Sequence, residues 1–305
     1  MTGHPPGISS SHPVLPTRSD ARTALFSWKS IWTGQTLVLI GLGACWLLFF
    51  EELAGEWQIN AQYNYGYVVP LLTAILVWRR WPERPSASPV GCAGLVCLVS
   101  AGLLLLQLPF RLVIEANPEW RLIYWLQGFQ ALGLNFCLLY WLGGWRWVRY
   151  FAPPMAFVLI AIPWPMELEQ RVIQGLMQFV AGLTVDVADW LSIPAIQVGN
   201  LVKIGVGVVG IDEACSGVRS LQAALMLSLF LGEMNRLSVL RRISLLAGSL
   251  VFVLIANLTR TTFLVWAAAH RGLHQMEAWH DTAGVLVMLI VLPGLMLLAQ
   301  LLRPK

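Results

Sequence analysis

The sequence predicts an all-α polytopic membrane protein with about eight transmembrane helices, an extracytoplasmic amphipathic helix and a short β-hairpin. Three observations support this. Of the 305 residues, 57% are hydrophobic and only 12% charged, where soluble domains carry about 25% charged residues. Apolar runs approaching the roughly 20 residues that a bilayer crossing takes recur along the chain. The basic residues also fall into alternate connecting segments. The formal charge of +4 is small and dispersed, which excludes a nucleic-acid surface.

Residues 1–30 are rich in Pro, Ser and Thr and carry Arg18, Arg22 and Lys29, so they read as a disordered cytoplasmic N-terminus. Residues 31–305 read as a single integral membrane domain. The first span is Thr36–Phe50. The bulky and then acidic stretch Trp46–Glu52 offers no small-x-small cleavage site, so this is an uncleaved span and not a signal peptide. Glu51–Gly66 is acidic and aromatic, with Tyr63, Tyr65 and Tyr67 at interfacial spacing.

The second span, Tyr67–Trp78, stops at Arg79-Arg80, and a Pro- and Arg-containing loop, Arg79–Pro89, follows. The third span is Gly91–Leu108. A loop with Arg111, Glu115, Glu119 and Arg121 leads to the fourth, Leu122–Leu142. A belt of Trp145, Arg146, Trp147 and Arg149 then meets the fifth span, Val148–Ile162, which closes at Pro163-Trp164-Pro165 because proline lacks an N–H and disfavours helix before it.

Glu167–Leu191 is different. Val172, Ile173, Leu176, Phe179, Val180 and Leu183 recur at helical spacing, with acidic and amide residues between them. That pattern predicts an interfacial amphipathic helix. Ile193–Gly210 alternates, with Gly199-Asn200 and Gly205/Gly207 as turn residues, which predicts a short β-hairpin outside the bilayer. Span six is roughly Gly217–Leu231, span seven Ile243–Trp266 and span eight Thr282–Leu302, with Ala267–Asp281 a polar loop between the last two.

The charges set the orientation. With the N-terminus cytoplasmic, 13 of the 20 Lys and Arg fall on the inner side and 5 on the outer, leaving Arg219 and Arg260 at span ends. This obeys the positive-inside rule provided 167–191 does not cross. Both termini are then cytoplasmic.

The same topology brings Cys215, Arg260 and His280 to the outer face, from three separate segments. Cys45, Cys92, Cys97 and Cys137 lie in apolar runs, whereas Cys215 lies in the polar stretch Ile211–Ser220 ahead of span six. A helix N-terminus lowers a thiol's pKa, and Arg219 at i+4 is expected on the same helical face. Asn257 precedes Arg260 by three residues and can orient it. A thiolate attacks an acyl carbon, a guanidinium offers donors to the oxyanion, and an imidazole protonates the leaving amine. His270 and His274, i and i+4, are rivals with a metal-binding spacing, but no H-E-x-x-H or zinc pattern accompanies them. No metal or cofactor is expected.

At these residues the chain resembles the exosortase/archaeosortase family of membrane cysteine transpeptidases. The resemblance rests on Glu213-Ala-Cys-Ser-Gly-Val-Arg-Ser-Leu221, Asn257-Leu-Thr-Arg260, and His280 followed by Gly284. Tyr65-Gly-Tyr-Val-Val-Pro70, Ile162-Pro-Trp-Pro165 and Val198-Gly-Asn-Leu-Val202 extend it. It implies Cys215, Arg260 and His280 as catalytic residues, with Arg219, Asn257, Ser216 and Glu213 supporting them or the substrate. It further implies cleavage of a C-terminal sorting signal made of a short motif, a transmembrane helix and a basic tail. The protein would act at the outer face of a bacterial inner membrane, among its lipids. The acceptor, whether an amine-bearing lipid or glycan or water, is left open.

By the same resemblance, Glu51, Glu52, Glu56, Asp212 and Glu213 are candidates for substrate positioning. Two other classes compete. One is a transporter in which Arg219 and Arg260 line an anion path. The other is a polysaccharide-export subunit without peptidase activity. Neither requires Cys215.

Overall fold

The structure, a computed structural model, describes residues 34–88, 91–211 and 217–303. The predicted disordered segment 1–30 and the residues Asp212, Glu213, Cys215 and Ser216 lie outside them. Cys45–Lys305 forms one compact unit, separate from Met1–Ala44. Of the described residues 81% are helical.

The first half contains α1 (Gly34–Ile59), α2 (Val69–Arg80), α3 (Ala93–Leu105), α4 (Gln107–Ala116) and α5 (Leu122–Ala156), with a 3-10 turn at Ala61–Tyr67. The second half contains α6 (Met166–Trp190), strands β1 to β3, α7 (Val218–Met234), α8 (Val239–Arg271) and α9 (Leu273–Leu301).

Several elements outrun the apolar runs that predicted them. Helix α1 continues past Phe50 to Ile59 because its acids find partners. Glu52 pairs with Arg111, and Glu56 accepts a hydrogen bond from Asn60 and pairs with Arg121. The expected loop carrying Arg111 and Glu115 is largely helix α4. The expected polar loop 267–281 is helix on both sides of a single break at Gly272, where φ is 86°. Its Ala, Leu, Gln, Met and Glu are good helix formers despite their polarity.

Spans four and five form one element, kinked at Gly144 with φ 70° and ψ −168°. A Cβ there would lie 2.5 Å from the Ser88 hydroxyl oxygen, so only glycine allows this approach. The predicted hairpin is a three-stranded antiparallel meander of Ala195–Val198 (β1), Leu201–Ile204 (β2) and Gly207–Gly210 (β3), turning at both glycine pairs. Val202, Ile204 and Val209 pack with Val180 and Ala181 of α6 and Leu264 and Val265 of α8.

Among the described residues, five helices are long and apolar enough to cross a membrane, α6 included, by length and composition. The count of eight is not reached on that criterion: α1, the 12-residue α2 and the 17-residue α7 are not among the five, spans four and five share one helix, and α6 is the helix expected at the interface. With this composition and fold, the chain is an integral membrane protein.

Polar contacts gather at two ends, and they group the connecting segments as the charge count does. At one end Arg80 pairs with the buried Glu233, which also accepts from Arg242 at 2.6 Å. There too Glu83 pairs with Arg236, and the Trp147 indole donates to the Pro85 carbonyl at 2.8 Å. At the other end the buried Glu169 accepts from Gln62, from the Tyr63 hydroxyl at 2.6 Å and from Arg121, which also pairs with Glu56 at 3.0 Å. Tyr63 is fully buried and so is not the interfacial anchor that its spacing predicted. Burial and the bond to Glu169 together push its hydroxyl pKa well above the ordinary tyrosine value.

Candidate active site

Helix α6 connects the Glu169 network to the predicted site. Glu169, Ile173, Met177, Val180, Thr184 and Ala188 are all buried and recur every three or four residues, forming one helical stripe. Ile173 and Met177 pack on Val218, the first residue of α7. Farther along, Thr184 and Thr261 join their hydroxyls at 2.9 Å. Thr261 spends its only proton on the Leu258 carbonyl, so Thr184 is the donor in that pair. This bond ties α6 to α8 at the residue following Arg260.

The segment carrying Cys215 is held at both edges. Before it, the buried Ile211 donates its N–H to the Asn200 carbonyl at 2.9 Å, and the Asn200 amide donates back to the Ile211 carbonyl at 3.2 Å. After it stands Gly217, in the left-handed region at φ 83°, as the residue preceding α7. The helix therefore begins at Val218. Arg219 is exposed in the first turn, and its expected common face with Cys215 lies outside the described residues.

Asn257 is buried and lies flat against Gly217, where an added Cβ would stand 2.8 Å from the amide carbon. One turn later on α8, the half-buried Arg260 donates from Nη2 to the His280 carbonyl at 3.2 Å. Gly284 of α9 makes room for it, since a Cβ there would be 3.2 Å from Nη2. His280 is half-buried in α9, and its Nδ1 lies 3.1 Å from an Asp281 carboxylate oxygen. Among the predicted site residues that are described, the structure thus sets Asn257 against Gly217 and, one turn along α8, Arg260 against the His280 carbonyl. It leaves Arg219 at the surface, and Cys215, Ser216 and Glu213 lie outside the described residues.

The rival histidines are arranged otherwise. His270 stacks on Trp266 and bonds that residue's carbonyl within α8, while His274 follows the Gly272 break in α9. The i, i+4 relation expected for a metal pair therefore does not apply. Among the described residues no group of three or more His, Cys, Asp or Glu is disposed to hold a metal ion. Of the acids considered for substrate positioning, Glu52 and Glu56 are engaged by arginines of the fold.

Sequence reasoning missed the Glu169–Arg121 network, having read Glu169 as part of a solvated face and Arg121 as a loop charge. The available signal was the position of Glu169 in the first turn of a helix opened by Pro165, and of Arg121 immediately before α5.

The family model described as transmembrane exosortase (Exosortase_EpsH) matches residues 57–297. No curated protein and no solved structure matches the chain. The matched range takes in the Glu169 network, the sheet, α7, α8 and the part of α9 bearing His280 and Gly284.

Proposed function

From the premise that the chain belongs to the transmembrane exosortase family, we propose that it is a membrane-embedded cysteine transpeptidase. It cleaves a C-terminal sorting signal, made of a short motif, a transmembrane helix and a basic tail, at the extracytoplasmic face of the bacterial inner membrane. The Cys215 thiolate attacks the scissile carbonyl carbon, the C–N bond breaks as the C–S bond forms, and a thioester remains. His280 delivers a proton to the departing amine and then takes one from the incoming nucleophile, an amine-bearing acceptor or water. The Arg260 guanidinium stabilises the oxyanion in a site shielded from bulk water. Asn257 holds the chain at Gly217 and thereby the approach of the cysteine.

The observation that carries this reading is the bond from Arg260 to the His280 carbonyl, which fixes the cation and the imidazole-bearing turn together. Asn257, one turn away on α8, reaches Gly217. Two peptide units separate Gly217 from Cys215, a reach of about 7 Å. In this reading the thiol of the segment that precedes α7 acts with the guanidinium of α8 and the imidazole of α9. With α6 lying along the membrane surface and not across it, the distribution of basic residues supports the extracytoplasmic site and the cytoplasmic termini.

The test is processing of a co-expressed membrane protein bearing such a signal. Cys215→Ser and Cys215→Ala should abolish processing while the enzyme persists in the membrane at unchanged level, and His280→Ala should do the same. Continued processing by either cysteine variant refutes the proposal and returns the chain to the transporter or export-subunit class.

A further inference from the structure

A cavity of about 510 Å³ lies between α1, α2 and α5, and none of its lining residues belongs to the site described above. One wall is a single face of α2 and the turn after it: Pro70, Thr73, Ala74, Val77, Trp78 and Trp81. These recur at three- and four-residue intervals, so the groove follows the helix for about 16 Å. Trp46 and Phe50 of α1 and Leu132 and Met155 of α5 close the other sides. Ala74 and Trp78 are exposed, so the groove opens laterally from the helix bundle.

Its far end carries a cation. The Arg84 guanidinium lies over the Trp81 ring, 5.0 Å from its centroid, and is 5.8 Å from that of Trp147. It donates to the Trp81 carbonyl at 2.9 Å, and among the described residues it has no other hydrogen bond and no carboxylate partner. Its neighbours Arg80 and Glu83 are both paired within the fold. The only acid in this turn is thus taken, and Arg84 remains at the surface beside the groove mouth.

We propose that this groove holds an acyl chain of an anionic phospholipid, whose phosphate meets Arg84. A helix is the poorer match: at about 10 Å across, a 16 Å length of one would occupy on the order of 1,250 Å³, more than the roughly 1010 Å³ of empty space here, part of which is already open to the surroundings. A single extended hydrocarbon chain matches a narrow apolar slot of this length. A cation at headgroup level on the arginine-rich end selects negative lipid. This site is independent of the reaction proposed above.

The test uses the full chain reconstituted in vesicles of phosphatidylcholine containing a trace of phosphatidylglycerol with a diazirine in mid-acyl chain. After irradiation, labelled peptides should map to Pro70–Trp81 and to the α5 wall. Filling the groove with Ala74→Trp should remove that label. Arg84→Ala should weaken it roughly fivefold, and a phosphatidylcholine probe should label as weakly as phosphatidylglycerol does on Arg84→Ala. Label elsewhere in the wild type, or label undiminished in Ala74→Trp, overturns the site. Equal labelling by the two probes overturns the anionic preference. The wild-type map decides the location even if Ala74→Trp fails to fold.

Discussion

Gly217 and Asn257 touch so closely that no side chain fits between them: a Cβ on the glycine would fall 2.8 Å from the Asn257 amide carbon. Two requirements meet at this position, because Gly217 also holds φ at 83°. Any L side chain there would be strained by the backbone and by its neighbour at once.

Gly217→Ala is therefore expected to cost about 1–2 kcal/mol from the left-handed backbone alone, plus the displacement of Asn257. Processing of a signal-bearing substrate should fall far more than membrane abundance. Asn257→Ala relieves the contact, and the pair Gly217→Ala/Asn257→Ala should recover part of the stability but little activity. A double-mutant cycle on thermal unfolding in detergent measures the coupling.

Gly284 makes the corresponding room for the Arg260 guanidinium, with 3.2 Å from its would-be Cβ to Nη2. Gly284→Val should push the guanidinium off the His280 carbonyl and reduce processing by at least tenfold, a change of about 1.4 kcal/mol in the barrier. Arg260→Lys should be nearly as damaging, because a point charge cannot reproduce the planar fork. Both variants should insert and accumulate normally.

Glu169 has a structural role. Glu169→Ala leaves Arg121 buried with only Glu56 opposite, and removing one partner of a buried ion pair costs about 3–5 kcal/mol. Tyr63→Phe removes one hydrogen bond and leaves the Trp164 N–H without its acceptor, at a cost of about 1–3 kcal/mol. Unfolding midpoints in mild detergent should follow that order.

The same tyrosine predicts loss of stability in base. Its folded-state pKa is raised by burial and by the bond to Glu169, so the folded protein keeps a proton that the unfolded chain releases. Stability should be unaffected below the ordinary tyrosine pKa of about 10 and fall as pH rises beyond it. Tyr63→Phe should flatten that fall. At the other extreme, the bond to Arg236 lowers the Glu83 pKa, so its contribution is present above the ordinary carboxylate range and is lost on acidification. Glu83 is exposed, and Glu83→Gln should remove only a slight acid dependence.

Much of this was legible in the chain. Apolar runs located α2, α3, both halves of α5, α7, α8 and α9, because burial in lipid demands continuous hydrophobicity. Asn257, Arg260 and His280 stood out as polar residues at span ends. The helix ends did not, because composition marks where lipid stops and helix formation continues past that point. The 267–281 segment is helical through intrinsic propensity and through packing of Ala268, Leu273 and Met276 on the core around the sheet. Nor was the Glu169 network legible: its partners Arg121, Tyr63 and Gln62 lie 48, 106 and 107 residues away in sequence. No local pattern reports a pairing made only when distant segments meet.

Helix α7 has 17 residues, about 26 Å of rise, against a hydrocarbon slab about 30 Å thick. A rod shorter than its surroundings draws the two leaflets inward or sinks at its tips. Membranes of longer-tailed lipid should bury the Gly217 tip more deeply, so turnover should follow acyl length even where headgroups are held constant.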